Sequence, residues 1–147
     1  MKETLSSAET LAAAEQAALT KTKLGTRKTL VLAALAGAYI AMGGTLSLLV
    51  GYGFAQAAAG NPGLQKLLSG AMFPLGLILV VLAGAELFTG NNAVLMPGAL
   101  GRRYGWGKVA RNWTLVWMGN FAGALFFTYF LVVLPGVLSS EMWREAA

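Results

Sequence analysis

Three long stretches of the 147-residue chain lack charged side chains, and their hydrophobic pattern predicts three membrane-spanning helices. No Asp, Glu, Lys or Arg occurs between Lys28 and Lys66, or between Arg111 and Glu141. A third uncharged stretch covers residues 67–85. Each stretch can hold the roughly 20 apolar residues that a helix needs to cross a bilayer. We expect spans at about residues 30–54, 67–88 and 113–134.

Composition supports an all-α integral membrane protein. Hydrophobic residues make up 56% of the chain and charged residues only 12%, whereas a soluble domain has roughly 25% charged residues. A soluble protein with three fully buried core helices would need more polar sequence to cover them. The composition therefore favours a membrane protein, and the lipid bilayer is an expected partner.

The residue types that usually perform catalysis are scarce. The chain has no cysteine, no histidine and six carboxylates, so thiolate metal sites and the commonest general base are excluded. We expect neither an enzyme nor a cofactor. The net charge of +5 does not indicate nucleic acid, because the basic residues flank apolar spans and have no interleaved aromatic residues.

The chain divides into an N-terminal segment, a membrane repeat and a tail. Residues 1–28 are expected to form a cytoplasmic amphipathic helix and a basic linker, since Ser6 and Glu9 have the spacing of a capping box. Residues 29–135 hold the three spans. Residues 136–147 form an external tail.

The basic residues also predict the orientation. They are concentrated at residues 21–28 and 102–111, before the first span and after the second. Because cytoplasmic loops are enriched in Lys and Arg, both segments are placed in the cytoplasm. The spans would then cross the cytoplasmic (inner) membrane.

Small residues predict close helix contacts. Gly37, Ala41 and Gly44 share a face of the first span, and Gly119 and Gly123 form a G-x-x-x-G in the third. Such stripes let membrane helices approach each other closely.

Polar and aromatic residues near the third span have simpler roles. Asn112 and Asn120 are expected to hydrogen-bond between helices rather than to bind a ligand. Trp106 and Trp113 suit the membrane interface.

The second span has one carboxylate, Glu86, followed by the loop-forming residues Thr89, Gly90, Asn91 and Asn92. This pattern predicts a broken helix, with a loop at about residues 89–93. Irregular backbone at membrane depth is tolerated where it is buried in protein or lines a cavity. Free N–H groups in such a loop could bind either the carboxylate or a small anion.

Glu86 has two possible roles. Burying a carboxylate in hydrocarbon is costly, so its side chain should face the protein interior and have partners. It could accept hydrogen bonds from backbone N–H groups of the following loop and so organise it, or it could exchange protons with a substrate. The first role is favoured, because the loop supplies such donors.

Four large apolar residues lie on the same broken segment: Phe73, Leu77, Leu87 and Phe88. Phe73 and Leu77 are four residues apart and share a helix face. Periodicity alone leaves open whether such side chains pack in the core, face lipid or line a pore.

The segment Val81–Gly90, with Gly84 and Glu86-Leu87-Phe88-Thr89-Gly90 in order, resembles the first sequence motif of the formate/nitrite transporter family. Phe73-Pro74-Leu75-Gly76-Leu77 before it and Gly119-Asn120 after it agree with this family, and the resemblance covers residues 30–133.

The resemblance implies an aquaporin-like fold of two inverted three-helix repeats, assembled as a homopentamer with one pore in each protomer. The substrates implied are small monovalent anions such as formate, nitrite or hydrosulfide, or their protonated acids. Carried over by residue, it makes Phe73, Leu77, Leu87 and Phe88 constriction residues. Thr89, with Gly90 and Asn91, would contact the substrate from the loop.

The chain departs from this family in length and in its lack of histidine. Family members are roughly twice as long and carry a pore histidine in their second repeat. The chain therefore resembles an N-terminal half, as the odd number of spans also suggests. The alternative function is a three-helix scaffold or subunit that transports nothing. A water or glycerol channel fits less well, because Asn91-Asn92-Ala93 lacks the proline of its motif.

Overall fold

The computed structural model describes residues 4–138, and within that range every regular element is helical. Seven α-helices follow one another, and the last continues into a π-helical turn, Tyr129–Val133. The α-helices are α1 (Ser7–Thr22), α2 (Thr26–Tyr52), α3 (Ala55–Gly60), α4 (Pro62–Met72), α5 (Pro74–Leu82), α6 (Phe88–Leu100) and α7 (Trp106–Thr128).

Three helical stretches are long and apolar enough to cross a membrane: Thr26–Tyr52, Pro62–Leu82 and Trp106–Val133. The all-α fold and the three spans are thereby confirmed. The first and third begin earlier than expected, because charged and aromatic side chains at helix ends can reach the membrane interface. Most of the tail expected at residues 136–147 lies outside the described residues.

The helix termini account for two further boundaries. Ser6 and Glu9 form the expected capping box at the start of α1. The second span begins at Pro62 rather than near residue 67, because Asn61 caps it: the Asn61 Oδ1 atom accepts a hydrogen bond from the Leu64 N–H at 3.0 Å. Proline suits this first turn, since its missing N–H would have no helical partner there.

Helices α2 and α7 lie side by side and run in the same direction. Arg111, near the start of α7, contacts Thr26 at the start of α2. Asn120, further along α7, contacts Ala33, further along α2. Helices α4 and α5 run antiparallel to α2, since Ser69 contacts Ser47 while Gly76 packs on Tyr39. The basic N-terminal ends of α2 and α7 therefore lie at the same end of the bundle.

Glycines allow the close approach of these helices. A Cβ atom at Gly123 would collide with the backbone carbonyl of Ala34, and one at Gly37 with that of Asn120. Gly119 is equally tight, as predicted from its spacing. Spacing places Gly44 on the contact face, but a Cβ atom there would meet nothing within 4 Å. Gly43 makes a close contact instead, with the Phe73 carbonyl and Gly76 at the start of α5.

The second span breaks at residues 83–87, and the predicted loop at residues 89–93 is wrong. Gly84 adopts a left-handed conformation with φ of 59°. The N–H of Ala85 bonds the carbonyl of Val80 at 2.9 Å and the N–H of Gly84 bonds that of Val81 at 3.2 Å. This is the Schellman pattern that ends many helices.

Thr89, Gly90, Asn91 and Asn92 lie in the first turn and a half of α6, not in a loop. The sequence signal is ambiguous for a physical reason. Residues that favour turns are also tolerated in the first turn of a helix, where backbone N–H groups have no helical partner. The glycine that requires a special conformation is Gly84.

The N-terminal helix α1 packs against α6. Ala18 of α1 is fully buried in a cluster with Leu95, Ala99, Tyr104 and Val109. The Tyr104 hydroxyl donates a hydrogen bond to the Leu95 carbonyl at 2.7 Å. Burial raises the pKa of the Tyr104 phenol, and the nearby carboxylate of α1 raises it further. Helix α1 is thus part of the folded unit.

Replacing Gly123 by alanine should destabilise the protein, while Gly44→Ala should not. The added Cβ at Gly123 meets backbone that cannot rotate away, and such overpacking costs about 1–3 kcal/mol. At Gly44 the same change meets nothing within 4 Å and gains helix propensity. Unfolding of the purified protein in detergent measures both. Equal stability of the two variants would contradict the tight α2–α7 contact.

Candidate functional site

The broken segment lies beside the first span, not beyond it. The Glu86 N–H donates to the Leu32 carbonyl of α2 at 3.2 Å, and Leu32 lies inside the span Thr26–Tyr52. Between α5 and α6 the chain is not helical, so its backbone polar groups lack helical partners, and at this depth in the membrane water cannot reach them. Each of these groups needs a protein partner, because an unpaired one costs several kcal/mol in hydrocarbon.

Asn120 of α7 supplies most of these partners. Its Oδ1 atom accepts the N–H of Phe88 at 2.9 Å. Its Nδ2 atom donates to the Glu86 carbonyl at 2.9 Å and to the Ala33 carbonyl of α2 at 2.8 Å. One amide therefore joins α2, α7 and the broken segment. The sequence-based expectation that Asn120 bonds between helices is confirmed.

The Glu86 carboxylate is buried, with the residue 3% exposed. Its Oε1 atom lies 2.7 Å from the Lys21 Nζ atom, and its Oε2 atom accepts from the Asn91 Nδ2 atom at 2.7 Å. The expected bonds to loop N–H groups are not formed. The Glu86 N–H already donates to Leu32, and the Phe88 N–H to Asn120. The carboxylate therefore binds side chains instead, Lys21 on α1 and Asn91 on α6.

Lys21 is the residue that sequence reasoning missed. In the sequence, Lys21 is only one of several cations next to a span. In the structure its side chain is 21% exposed and pairs with Glu86 at the break. A buried carboxylate requires a compensating charge. The buried carboxylate in the sequence therefore indicates that some Lys or Arg must pair with it. Sequence alone does not select which of the basic residues this is.

A pair of buried amides continues the network into α7. Asn91 and Asn112 are each 1% exposed, and the Asn91 Nδ2 atom donates to the Asn112 Oδ1 atom at 2.9 Å. Asn112 thus also bonds between helices, as expected. Lys21, Glu86, Asn91 and Asn112 form one polar chain across α1, the broken segment, α6 and α7. We call it the Glu86 network.

A groove of about 280 Å³ borders this network. Its polar lining comes from Lys21 and Asn91, and its apolar lining includes Leu77 and Leu87. Gly90 completes the side formed by α6. An opening with an ammonium group and an amide among apolar walls can attract a small anion and then strip its water.

A second groove, of about 300 Å³, lies on the other side of Leu87 between α2 and α7. Phe88 lines it, together with Trp117 and Asn120. The Phe88 ring also packs edge to face on Trp113, with ring centroids 6.4 Å apart. The broken segment therefore separates two grooves, and Leu87 belongs to both.

The sequence-predicted site residues are only partly brought together. Leu77, Leu87, Gly90 and Asn91 share the first groove, whereas Phe88 faces the second. Phe73 and Thr89 are exposed and line neither groove. Phe73 precedes Leu77 by about one helical turn, so it continues the same side of the second span.

Large apolar side chains are exposed along the spans. On α5 and α7 they include Leu77, Val81, Leu82, Phe121 and Phe126, each at least 49% exposed. Extensive apolar exposure of this kind belongs to a surface that meets lipid or another protein rather than water.

These features define an integral membrane protein with three helical spans, of which the second is followed by a break secured by buried polar groups. The model of the formate/nitrite transporter family matches residues 8–147, and the chain belongs to this family.

Curated relatives agree. The chain is 46% identical over 143 residues to a probable formate transporter of Methanothermobacter thermautotrophicus, covering 97% of this chain and 52% of the relative. It is 40% identical over 116 residues to the formate channel FocA of Escherichia coli K12, covering 78% and 39%. For formate-nitrite transporter 3 of Toxoplasma gondii the identity is 38% over 122 residues, covering 80% and 24%. The chain spans about half the length of these relatives or less.

Replacing Lys21 by methionine should destabilise the protein strongly, because the Glu86 carboxylate would stay buried without its cation. Breaking a buried ion pair at one partner typically costs about 3–5 kcal/mol. Lys23→Met is the matched control, since Lys23 is exposed and has no carboxylate partner among residues 4–138. It should change stability by about 0.5 kcal/mol or less. Denaturant unfolding in detergent measures both.

A double variant sharpens this test. Lys21→Met combined with Glu86→Gln removes both charges, keeps a side chain of similar size beside Asn91, and should be more stable than Lys21→Met alone. If Lys21→Met behaved like Lys23→Met, the ion pair would contribute nothing to stability.

Proposed function

We propose that this chain forms one half of a passage for small monovalent anions, such as formate or nitrite, across the cytoplasmic membrane. The observation that carries the proposal is the first groove beside the broken span, where Lys21 and Asn91 are combined with the apolar walls of Leu77 and Leu87. The names of the relatives, a probable formate transporter and a formate channel among them, support this class of substrate.

The three spans fit one repeat of an inverted-repeat, aquaporin-like fold. An odd number of spans places a following repeat in the opposite orientation, which is the arrangement that such transporters use. Neither groove is enclosed, so a complementary repeat would supply the missing wall. Exposed apolar residues on α5 and α7 are suited to that contact and to assembly of several protomers, five by the family resemblance.

We place the N-terminus in the cytoplasm. Lys and Arg residues cluster at the end of the bundle where α2 and α7 begin, whereas among the described residues only Lys66 is near the end where α4 begins. Positively charged segments are retained on the cytoplasmic side. The groove containing Lys21 would then open toward the cytoplasm.

The geometry suggests how an anion would pass. The charge of Lys21 raises the local concentration of anions at the groove, although Glu86 offsets much of that charge at short range. Beyond it, Leu77 and Leu87 form an apolar section that a bare anion crosses at high cost. Passage is easier for the protonated acid. This chain has no histidine, so a histidine proton donor would belong to the complementary repeat.

The remaining site residues are assigned on the same basis. Thr89 and Gly90, exposed in the first turn of α6, would offer a hydroxyl and accessible backbone to the substrate. Phe73 and Phe88 would narrow the passage together with Leu77 and Leu87 when the complementary wall is present. Glu86 holds the Lys21 ammonium and the Asn91 amide in place.

A scaffold without transport activity is the rival function. Its support is that Glu86 has its charge and hydrogen-bond needs met by Lys21 and Asn91, so the network requires no substrate. A chimera separates the two. Residues 8–138 would replace the matching half of the Methanothermobacter thermautotrophicus relative, and formate uptake into liposomes would be followed across a pH gradient.

We expect the chimera to take up formate in a saturable way, and the 147-residue chain alone to show no such uptake. A chimera that inserts and assembles but stays inactive would support the scaffold. Saturable uptake by the isolated chain would show that copies of this half rebuild a passage without a second repeat.

Selectivity should depend on the apolar section. In the active chimera, Leu87→Ala and Phe73→Ala should raise uptake of acetate or lactate relative to formate, because a smaller side chain widens the passage. Leu125→Ala is the matched control, since Leu125 is 54% exposed and lies on α7, away from the second span and the break that carry Phe73, Leu77 and Leu87. Substrate ratios equal to those of the control would remove Leu87 and Phe73 from the constriction.

A further inference from the structure

Five exposed cations lie where α2 and α7 begin: Lys23, Arg27, Lys28, Lys108 and Arg111. We call them the basic junction. The Arg111 guanidinium donates to the Leu24 carbonyl at 3.3 Å and to the Thr26 hydroxyl at 2.8 Å. This contact holds the α1–α2 linker against α7, so the cations of both segments lie at the same end of the bundle.

The fold does not neutralise these charges. Within residues 4–138 the carboxylates that pair with Lys or Arg of the bundle are Glu86, with Lys21, and Glu15, with Arg103. Arg111 contacts neutral oxygens. Among the described residues, the five cations of the basic junction therefore have no acidic partner.

Helix electrostatics makes their position still less favourable. Arg27, Lys28 and Lys108 lie in the first turns of α2 and α7, and neither turn contains an acidic residue. The N-terminus of a helix carries partial positive charge and favours anions. Among the described residues, neither an ion pair nor the helix dipole offsets these charges. Positive-inside orientation explains on which side of the membrane the cations lie but leaves their charge unpaired, so an external anion is the partner that fits them.

The membrane itself is the source of that anion. The junction begins two of the spans, which puts it at the level of the lipid headgroups. Trp106, 53% exposed in the same first turn as Lys108, is the kind of residue that lies at this level. Clustered Lys and Arg at the ends of spans attract anionic lipids.

We propose that the basic junction binds the phosphate of an anionic phospholipid headgroup. The site is separate from the grooves beside the broken span, and the proposal does not depend on transport. Bound lipid would hold together the α1–α2 linker and the start of α7, the same elements that Arg111 joins.

The test uses the full chain and mixed lipids. The protein would be extracted from nanodiscs of equal phosphatidylglycerol and phosphatidylcholine, and retained lipids would be counted by native mass spectrometry. We expect the wild type to retain phosphatidylglycerol preferentially. Arg27→Gln combined with Lys108→Gln should weaken this retention by about fivefold for each charge removed, and Arg27→Lys combined with Lys108→Arg should preserve it.

Lys66→Gln is the matched control, because it removes an exposed cation from the opposite end of the bundle. It should leave retention unchanged, and circular dichroism would confirm that each variant is folded. Equal retention of the two lipids by the wild type would overturn the proposal, whatever the variants do. So would an equal loss in Lys66→Gln, or displacement of the lipid by millimolar inorganic phosphate, which would indicate a site for the free ion.

Discussion

The structure depends on pairing the backbone groups that become free where the second span ends inside the bundle. Gly84 ends α5 by a left-handed turn, and the chain then runs extended before α6 begins. Asn120 bonds the Glu86 carbonyl and the Phe88 N–H, the backbone groups on either side of Leu87, and also bonds α2. Without it, polar backbone would face an apolar interior at membrane depth, where each unpaired group costs several kcal/mol. The close α2–α7 contact at Gly37 and Gly123 positions this amide.

The Glu86 network extends the same constraint from backbone to charge. A buried carboxylate needs a cation, and Lys21 reaches it from α1, a helix outside the three spans. As a result α1 is fixed to the break by an ion pair as well as by the packing of Ala18. The Arg103–Glu15 pair, at 3.8 Å and largely exposed, contributes little by comparison. The network and α1 should therefore loosen together.

Sequence predicted the spans because apolar stretches of this length without any charge are rare outside membranes. It also predicted that the second span is broken and that Asn112 and Asn120 bond between helices. It misplaced the break, since Gly90 and Asn91 suit a helix start as well as a loop, and it chose Gly44 where Gly43 makes the contact. The Lys21–Glu86 pair joins residues far apart in the chain, so local pattern does not identify it. Whether Phe73 and Thr89 face a substrate depends on a wall outside these helices.

The two sets of cations show how position changes the role of the same residue types. Lys21 is mostly buried and pairs with one carboxylate, so its charge compensates the buried Glu86. It also lines the first groove. The basic junction is exposed and has no matching carboxylate in the described part of the chain, so its charge acts on the surroundings. Both lie at the end of the bundle where α2 and α7 begin. In the proposed passage, an anion drawn to that surface by the junction would still have to exchange solvent for contact with Leu77 and Leu87, so attraction and selection would be separated in space. Charge would then set how often an anion arrives, and the apolar section which one passes.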